Sequence, residues 1–521
     1  MKIHRRLITV MSALAFFPII VAQGADYGGM RKEFESYKAP DYYEQNVAGS
    51  PEEAAKSGAA LQEQAAPELK LLEEKLNAEK KGWEDSIASG AGEQEFFDFK
   101  SPPAKKIREA AKTDQILDLL KGQIDLDILI AAAFERNPGL AGAKKQMEAS
   151  LEEYSQATRL DNLLGQYQAF INETGMAQGS MSGGMESIQK KFPFPGVVAL
   201  KGDMAAKEVE IASENYFVAL RDLIADIKNA YYELLYSGHA IRTAEENLQL
   251  LKQLEKIAYI KYDSGLVGYS DVLKVQTRTA KLETDLVTWR ASRDTVAARL
   301  NKFLNLPPQT ALGPRKEAEL HDTPLSLQDM TDLGLKRRQE LRVLRLEIEK
   351  SNIAITMAEK EFFPDFTLGY NYIEGRKVEM VEMDEKPELK AMKPETETPF
   401  WFGMNDAYVR EARQMYQSMQ KELEAQKDKL RFELKDLTFR LDTAKRNAAL
   451  YQKSLLPLAW NSLEAAKADY QAGKGDFLNV LDAQEIWLEY NLHYWEHVRD
   501  QNQAMADLER TVGTQLLTGP K

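Results

Sequence analysis

The stretch KYDSGLVGYSDVLKVQ, Lys261 to Gln276, sets a glycine and a polar turn inside what otherwise reads as one long helix, and it returns near the C-terminus as ADYQAGKGDFLNVLDAQ, Ala468 to Gln484. Tyr262, Gly265, Val272, Leu273 and Gln276 reappear as Tyr470, Gly473, Val480, Leu481 and Gln484 at a constant offset of 208. A sequence that interrupts a helix twice in the same way is built from two repeats, and each interruption marks a corresponding place in both.

Working outward, each repeat opens with a helical segment, Ile124 to Arg159 and Leu327 to Glu361. A short alternating run follows, then a polar loop, then a long helical pattern that ends at the glycine. Gly196 to Gly265 spans 69 positions and Gly403 to Gly473 spans 70. In the first long segment Leu220, Leu223, Ile227, Ala230, Leu234, Ile241, Ala244, Leu248 and Leu251 fall on alternating three and four spacings, broken by Ser237. Leu437, Leu441, Ala444, Ala448, Tyr451, Leu455 and Leu458 do the same in the second. This is the seam of helices packed side by side. At 1.5 Å per residue, such a helix is on the order of 100 Å long. The fold class is therefore mainly α.

The short runs are of another kind. In PDFTLGYNYI, Phe366, Leu368, Tyr370 and Tyr372 alternate with Thr367, Gly369 and Asn371, the period of a strand with one apolar side. GQYQAFIN does so more weakly, with Tyr167, Ala169 and Ile171 opposite Gln166, Gln168 and Asn172. Returning strands are expected to end in KKFPFPG, Lys190 to Gly196, and ETPFWFG, Glu397 to Gly403. Aromatic residues before each long helix suit a membrane interface. Such runs fit a tilted membrane-crossing strand of about 9–11 residues, and also an ordinary soluble hairpin. Four strands cannot close a barrel that takes about eight, so membrane strands would require several chains to share one barrel.

The ends and the composition narrow the class. MKIHRRLITVMSALAFFPIIVAQGAD has a basic start, an apolar run from Leu7 to Ala22 and small residues at Ala22 and Gly24, the layout of a cleaved export signal over residues 1–24. Residues 25–123 read as an extension, helical in PELKLLEEKLNAEKKGWEDSI and not in GAGEQEFFDFKSPPAKK. The repeats then occupy 124–311 and 312–521. With no cysteine among 521 residues, disulfides, thiolate metal sites, a cysteine nucleophile and a lipid-bearing N-terminal cysteine are all excluded. A net charge of −13 without a basic face argues against nucleic acid as a partner.

Taken together, KFPFPG before a long helix with AYYELLY, YDSGLVGYSDVLKVQ, LNKFLNLPP, AEKEFFPDFTLGYNY and YQAGKGDFLNVLDAQ resemble the TolC-type outer-membrane efflux proteins, and within them the heavy-metal branch of the CusC and CzcC kind. The resemblance runs from Ile124 to Gly513, in order and in both halves. It implies a homotrimer in which each chain gives four strands to a twelve-stranded barrel in outer-membrane lipid, continued by an α-helical coiled-coil barrel across the periplasm of a Gram-negative cell. It also implies passive efflux with no enzyme activity, no cofactor and no resident metal. The implied partners are a periplasmic adaptor and an inner-membrane pump, docked at the glycine turns.

By the same resemblance, Tyr262, Gly265, Leu266 and Asp271 match the first periplasmic tip, and Tyr470, Gly473, Asn479 and Asp482 match the second. Asp271 and Tyr470 stand where a closing hydrogen bond is expected. Asn479 replaces an aspartate that many members carry, Gly475 stands where some carry a latching arginine, and Asp482 is left as the carboxylate of its ring. Asp271 and Asn479 also suit the simpler task of capping the helix after each turn.

Other chemistry is thin. His493 and His497 in HYWEH are four apart on a helix, but the zincin order and a third ligand are missing. Met176, Met181 and Met185, and Met380, Met383 and Met392, fall in the loops between strands, where thioethers would suit a soft ion. No phosphate loop or nucleophile elbow is present. Two alternatives stay open at this point: a soluble periplasmic coiled-coil scaffold, and a duct for secreted polypeptides rather than metal ions or small toxic solutes.

Overall fold

The computed structural model describes residues 74–90, 92–113, 115–157, 184–192, 197–316, 325–360, 366–374 and 402–516. The chain divides into two compact units. One holds residues 161–192 and 366–396 with the N-terminal 77, and the other holds 78–160, 193–365 and 397–521.

In the first unit, β1 (Gly184–Phe192) and β2 (Phe366–Glu374) pair antiparallel, with Gly184 opposite Glu374 and Phe192 opposite Phe366. The expected strand in PDFTLGYNYI is β2, and the strand expected to lead into KKFPFPG is β1. The ladder pairs a strand of the first repeat with a strand of the second. Met185, expected in a loop, lies in β1 opposite Ile373. The runs at 165–172 and 397–401 and the other five loop methionines lie outside the described residues, as does the export signal. Among the described residues no helix is long and apolar enough to cross a membrane.

The second unit is helical. Residues 74–89 form α1, which belongs to this unit from residue 78 onward, and α2 (Pro102–Ala111) and α3 (Gln115–Lys121) complete the extension. The first repeat follows as α4 (Leu126–Arg136), α5 (Pro138–Ala157), α6 (Val197–Asp263) and α7 (Tyr269–Phe303). The second repeats the plan as α8 (Leu327–Arg337), α9 (Gln339–Lys360), α10 (Phe402–Leu450), a π-helical turn (Tyr451–Leu455), α11 (Leu456–Gln471) and α12 (Phe477–Val512).

Two expectations need correction. Each opening segment, read as one helix, is broken after 11 residues, at Asn137 in extended conformation and at Arg338 with φ −59° and ψ 121°. At the first break Pro138 starts the new helix and the Asn137 Oδ1 accepts from the Leu140 N–H at 2.9 Å. The stretch KSPPAKK, taken as non-helical, begins α2: Ser101 caps it, and Pro102 and Pro103 occupy first-turn positions where no N–H is needed.

The described C-terminal part of the extension is packed. Phe96, Phe99, Ile116 and Leu120 share a core with Leu129 and Ala131 of α4, Leu220, Ile227 and Leu234 of α6, and Leu300 of α7. A second core joins the far parts of α6, α7, α11 and α12. A third joins α8, α9, α10 and the end of α12 through Met330, Leu341, Leu434, Leu441 and Leu508. The first heptad seam is buried at Leu220, Ile227, Ala230, Leu234, Ile241, Ala244 and Leu251 and half-buried at Leu223 and Leu248. The second holds through Leu441, Ala444 and Ala448 and then slips: Leu458, expected inside, is 64% exposed, and Ala459 and Leu463 are buried instead. The π-helical turn inserts one residue into the helix and rotates everything after it.

Candidate functional site

Both reversals have the geometry their glycines predict. Gly265 has φ +70° and Gly473 φ +74°, a left-handed conformation that costs a side-chain-bearing residue but not glycine. At the first, Leu266 N–H donates to the Lys261 carbonyl at 2.9 Å and Gly265 N–H to Tyr262 at 2.9 Å. At the second, Lys474 N–H donates to Asp469 at 2.9 Å and Gly473 N–H to Tyr470 at 3.1 Å. These paired bonds satisfy carbonyls left open at a helix end.

The caps are not where the sequence suggested. Gly268 precedes α7 without a side-chain cap, and Asp476 caps α12 by accepting from Leu478 N–H at 3.3 Å. Asp271 and Asn479 sit one turn further in. Asp271 faces the positive end of α7 and pairs with Lys274 at 3.4 Å, while Asn479 is exposed.

The two hairpins share one core, in which Leu254, Ala258, Val272, Val275, Leu463, Phe477, Val480 and Leu481 are all buried. Polar contacts fix their register. The Gln484 amide donates to Asn247 at 2.9 Å, with both residues buried, and so ties α12 to α6. Its repeat partner Gln276 donates instead to Glu255 at 3.0 Å within the first hairpin. Arg278 of α7 pairs with Glu485 and reaches Asp482 at 4.0 Å, both on α12.

Tyr470 is only 3% exposed, yet its hydroxyl makes no hydrogen bond. The expected bond to Asp271 is therefore not formed in this chain. Burial, with the charges of Asp271 and Asp476 nearby, pushes the Tyr470 hydroxyl up to about 12. What grips Tyr470 is Lys261 of the first hairpin. Its Nζ donates to the Tyr470 carbonyl and lies 4.1 Å from the ring centroid. Lys261, Arg278, Glu485, Asn247 and Gln484 thus connect the hairpins, and none of them was singled out for this role from the sequence. Only the repeated glutamine carried a signal. The other contacts depend on how the hairpins register.

The outer side of the first reversal is apolar and open. Tyr259, Ile260, Tyr262, Tyr269 and Leu273 are exposed, and Leu266 is 74% exposed at its apex. The Tyr262 and Tyr269 rings meet across the turn, tilted by 51° with centroids 5.1 Å apart. His493 and His497 lie on α12 beside Tyr451, away from either turn, and no group of metal-binding side chains occurs among the described residues.

The model of the outer membrane efflux protein family matches residues 129–306 and 331–514. The cobalt-zinc-cadmium resistance protein CzcC of Cupriavidus metallidurans is 19% identical over 395 residues, 75% of this chain and 90% of that protein. The outer membrane protein VceC of Vibrio cholerae superposes with a TM-score of 0.57 at 16% identity, over 75% of this chain and 96% of that one. CusC, whose structures concern transmembrane channel formation, gives 0.58 at 14% identity, over 76% and 93%. At these identities the structural likeness bears on the fold.

Proposed function

The chain belongs to the outer membrane efflux protein family, whose members are transport channels and not enzymes, and from that premise we propose that it is the exit duct of a tripartite efflux system. In this reading the two glycine reversals form the periplasmic end of the duct, where a periplasmic adaptor docks and an inner-membrane pump delivers the solute. Residues 124–311 and 312–521 are its two passes, and of the extension over residues 25–123 the parts at 92–113 and 115–123 pack against them.

The observation that carries the reading is the pair of matching reversals on a shared four-helix core, one of them with Leu266 and its aromatic neighbours exposed. An apolar, solvent-facing helix turn is costly to leave uncovered unless it meets a partner. Around it, Tyr262, Gly265, Leu266 and Asp271 serve the first tip, and Tyr470, Gly473, Asn479 and Asp482 the second. The lock between the tips is Lys261 on Tyr470 rather than a bond from Asp271.

Assembly as a homotrimer is supported by α10. Its buried residues Leu430, Leu434, Leu441, Ala444 and Ala448 face its own chain, while Phe432, Phe439 and Leu450 are exposed. Spacings of 7 and 11 residues keep those three on one face, turned away from the buried one. A neighbouring copy would cover them. The β1–β2 ladder would then be this chain's described part of a barrel shared among the three.

Small toxic solutes, metal ions among them, are the proposed cargo, on the strength of the relative named for cobalt, zinc and cadmium resistance. Fractionation and sizing in detergent test the duct: outer-membrane residence and a trimer are expected, and a salt-extractable soluble protein overturns it. Deletion of the gene followed by growth on cobalt, zinc, cadmium, copper and toxic organic compounds tests the cargo. Unchanged tolerance of all of them points to exported polypeptides instead.

A further inference from the structure

The second arm contains a turn that the first lacks. Helix α6 runs unbroken over 67 residues, whereas α10 gives way at Tyr451–Leu455 to a single π-helical turn before α11 resumes. Pro457 accounts for the wider turn. Its nitrogen has no hydrogen to donate and its ring crowds the carbonyl one turn back, and an inserted residue relieves both. The insertion also decides which residue of α11 falls in line with the exposed Phe432, Phe439 and Leu450 of α10. In an unbroken α-helix Asn461, 11 residues beyond Leu450, would continue that line. With one residue inserted, Leu458 continues it instead. It is eight residues from Leu450 in sequence but seven in helical advance, close to two full turns. Leu458 is exposed accordingly.

A second exposed face lies at the other edge of the same unit. Near the reversals α6 and α12 pack together, α7 lies against α6, and α10 and α11 lie against α12, so α7 and α10–α11 are the outermost helices of the row. Helix α7 buries Val272, Val275, Leu282 and Leu286 on one side. On the opposite side it exposes Leu273, Ala280 and Val287 at intervals of seven. Thr277, Thr284 and Thr288 share that side, and each hydroxyl donates to the carbonyl four residues back, at 2.8, 3.0 and 3.2 Å. Hydroxyls satisfied by their own helix leave their methyl groups outward, so this face is uncharged and asks nothing of water.

The two faces stand level. Leu458 is 15 residues before Gly473, and Ala280 is 15 after Gly265. Leu450 is 23 before Gly473, or 22 once the inserted residue is discounted, and Val287 is 22 after Gly265. Charges border them in complementary order. Arg446 and Lys453 flank the line of α10 and α11, and neither is paired among the described residues. Glu283 and Asp294, both exposed, border the α7 face within three residues of the same levels.

We propose that the exposed line of α10 and α11 packs on the uncharged face of α7 in a second copy of this chain, with Leu450 against Val287 and Leu458 against Ala280, and that the π-helical turn sets the phase of this contact. Both halves of the contact are on one chain, at equal distances from equivalent reversals, which a foreign partner would not require. The two edges differ, so the contact is head to tail, and repetition closes it into a ring. The proposal rests on reading the chain as a homotrimer and extends that reading by naming the receiving face and the role of the turn.

The absence of cysteine allows a direct test in the full-length protein in detergent. Leu450→Cys with Val287→Cys, and Leu458→Cys with Ala280→Cys, should each give covalent trimers when oxidised with copper phenanthroline and run without reductant. Asn461→Cys with Thr277→Cys, the level pair that an unbroken helix would bring together, should link at least about fivefold less, because a disulfide tolerates little separation of its Cβ atoms. Sizing before oxidation separates the two readings. A monomer overturns both the trimer and this contact. A trimer in which either matched pair fails to link, or in which the Asn461 and Thr277 pair links as readily, overturns the contact and leaves the trimer standing. Should a cysteine pair not assemble where the parent does, Leu458→Lys decides: earlier thermal dissociation of the trimer supports the contact, and unchanged dissociation overturns it.

Discussion

Replacing Lys261 with methionine should loosen the contact between the two hairpins more than any other single surface change there. The side chain keeps its apolar stem and loses its charge. Two interactions go with that charge: the hydrogen bond to the Tyr470 carbonyl and the position 4.1 Å from the ring centroid. A hydrogen bond involving a charged group is worth about 1.5–3 kcal/mol, and a cation over an aromatic ring about 0.5–1 kcal/mol where water has access. Lys261 is half-buried, so the low ends apply, and the sum is about 2 kcal/mol. That multiplies the population of separated hairpins about 30-fold. Arg278 is the internal control. It binds Glu485 and Asp482 at a more exposed site, and its replacement should cost about 1 kcal/mol or less. The chain has no cysteine, so spin labels can be placed at Asp263→Cys and Gln471→Cys without background. Distances between them should lengthen and broaden in Lys261→Met, less in Arg278→Met, and single-channel conductance should rise in the same order. Identical distance distributions in Lys261→Met and its parent, or a larger effect from Arg278→Met, would refute the reasoning.

Three further changes test other parts of the structure. Tyr470→Phe removes a buried hydroxyl that has no partner, so stability against urea should be unchanged or rise by up to about 1 kcal/mol; a loss of that size would mean the hydroxyl is bonded after all. Gly265→Ala and Gly473→Ala meet no atom within 4 Å and so pay only for the left-handed backbone, about 1–2 kcal/mol each in unfolding experiments, with asparagine costing less. Burial works against the Glu340 charge, but the bonds from Arg221 hold its carboxyl down to about 2, against an ordinary value near 4.5. That contribution is present above the ordinary carboxylate range and is lost as pH falls from there through about 2, so Glu340→Gln should flatten the acid limb of the stability curve. With Arg221 only 6% exposed and keeping Asp222 and Gln339 as partners, the same variant should cost about 1.5–3 kcal/mol at neutral pH, the worth of hydrogen bonds to a charged group.

Much of this architecture was legible because it is periodic. The constant offset of 208 marks both reversals, and the seam from Leu220 to Leu251 is buried or half-buried as its spacing requires. The glycines were legible for a local reason, since only a residue without a side chain enters the left-handed region freely. What failed depended on neighbours that sequence does not name. Asp271 and Tyr470 are close enough for one charge to act on the other's hydroxyl, but the hydrogen bond is absent and Lys261 takes the ring. Ser101 with Pro102 and Pro103 is a readable start signal, since proline fits the first turn of a helix as readily as it breaks an interior one.

The slip after Ala448 is the more instructive failure, because the repeats look equivalent in their seams and are not. A three-and-four spacing extrapolates only while every residue advances the helix by the same angle. Pro457 ends that condition in the second arm, and Leu458 turns outward while Ala459 and Leu463 take its place in the core. The first arm has no proline between Val197 and Asp263 and carries its seam to the tip without a break. One arm is therefore a continuous α-helix, and the other changes the face it buries at a single π-helical turn, so that equal spacing in the two sequences does not mean equal packing.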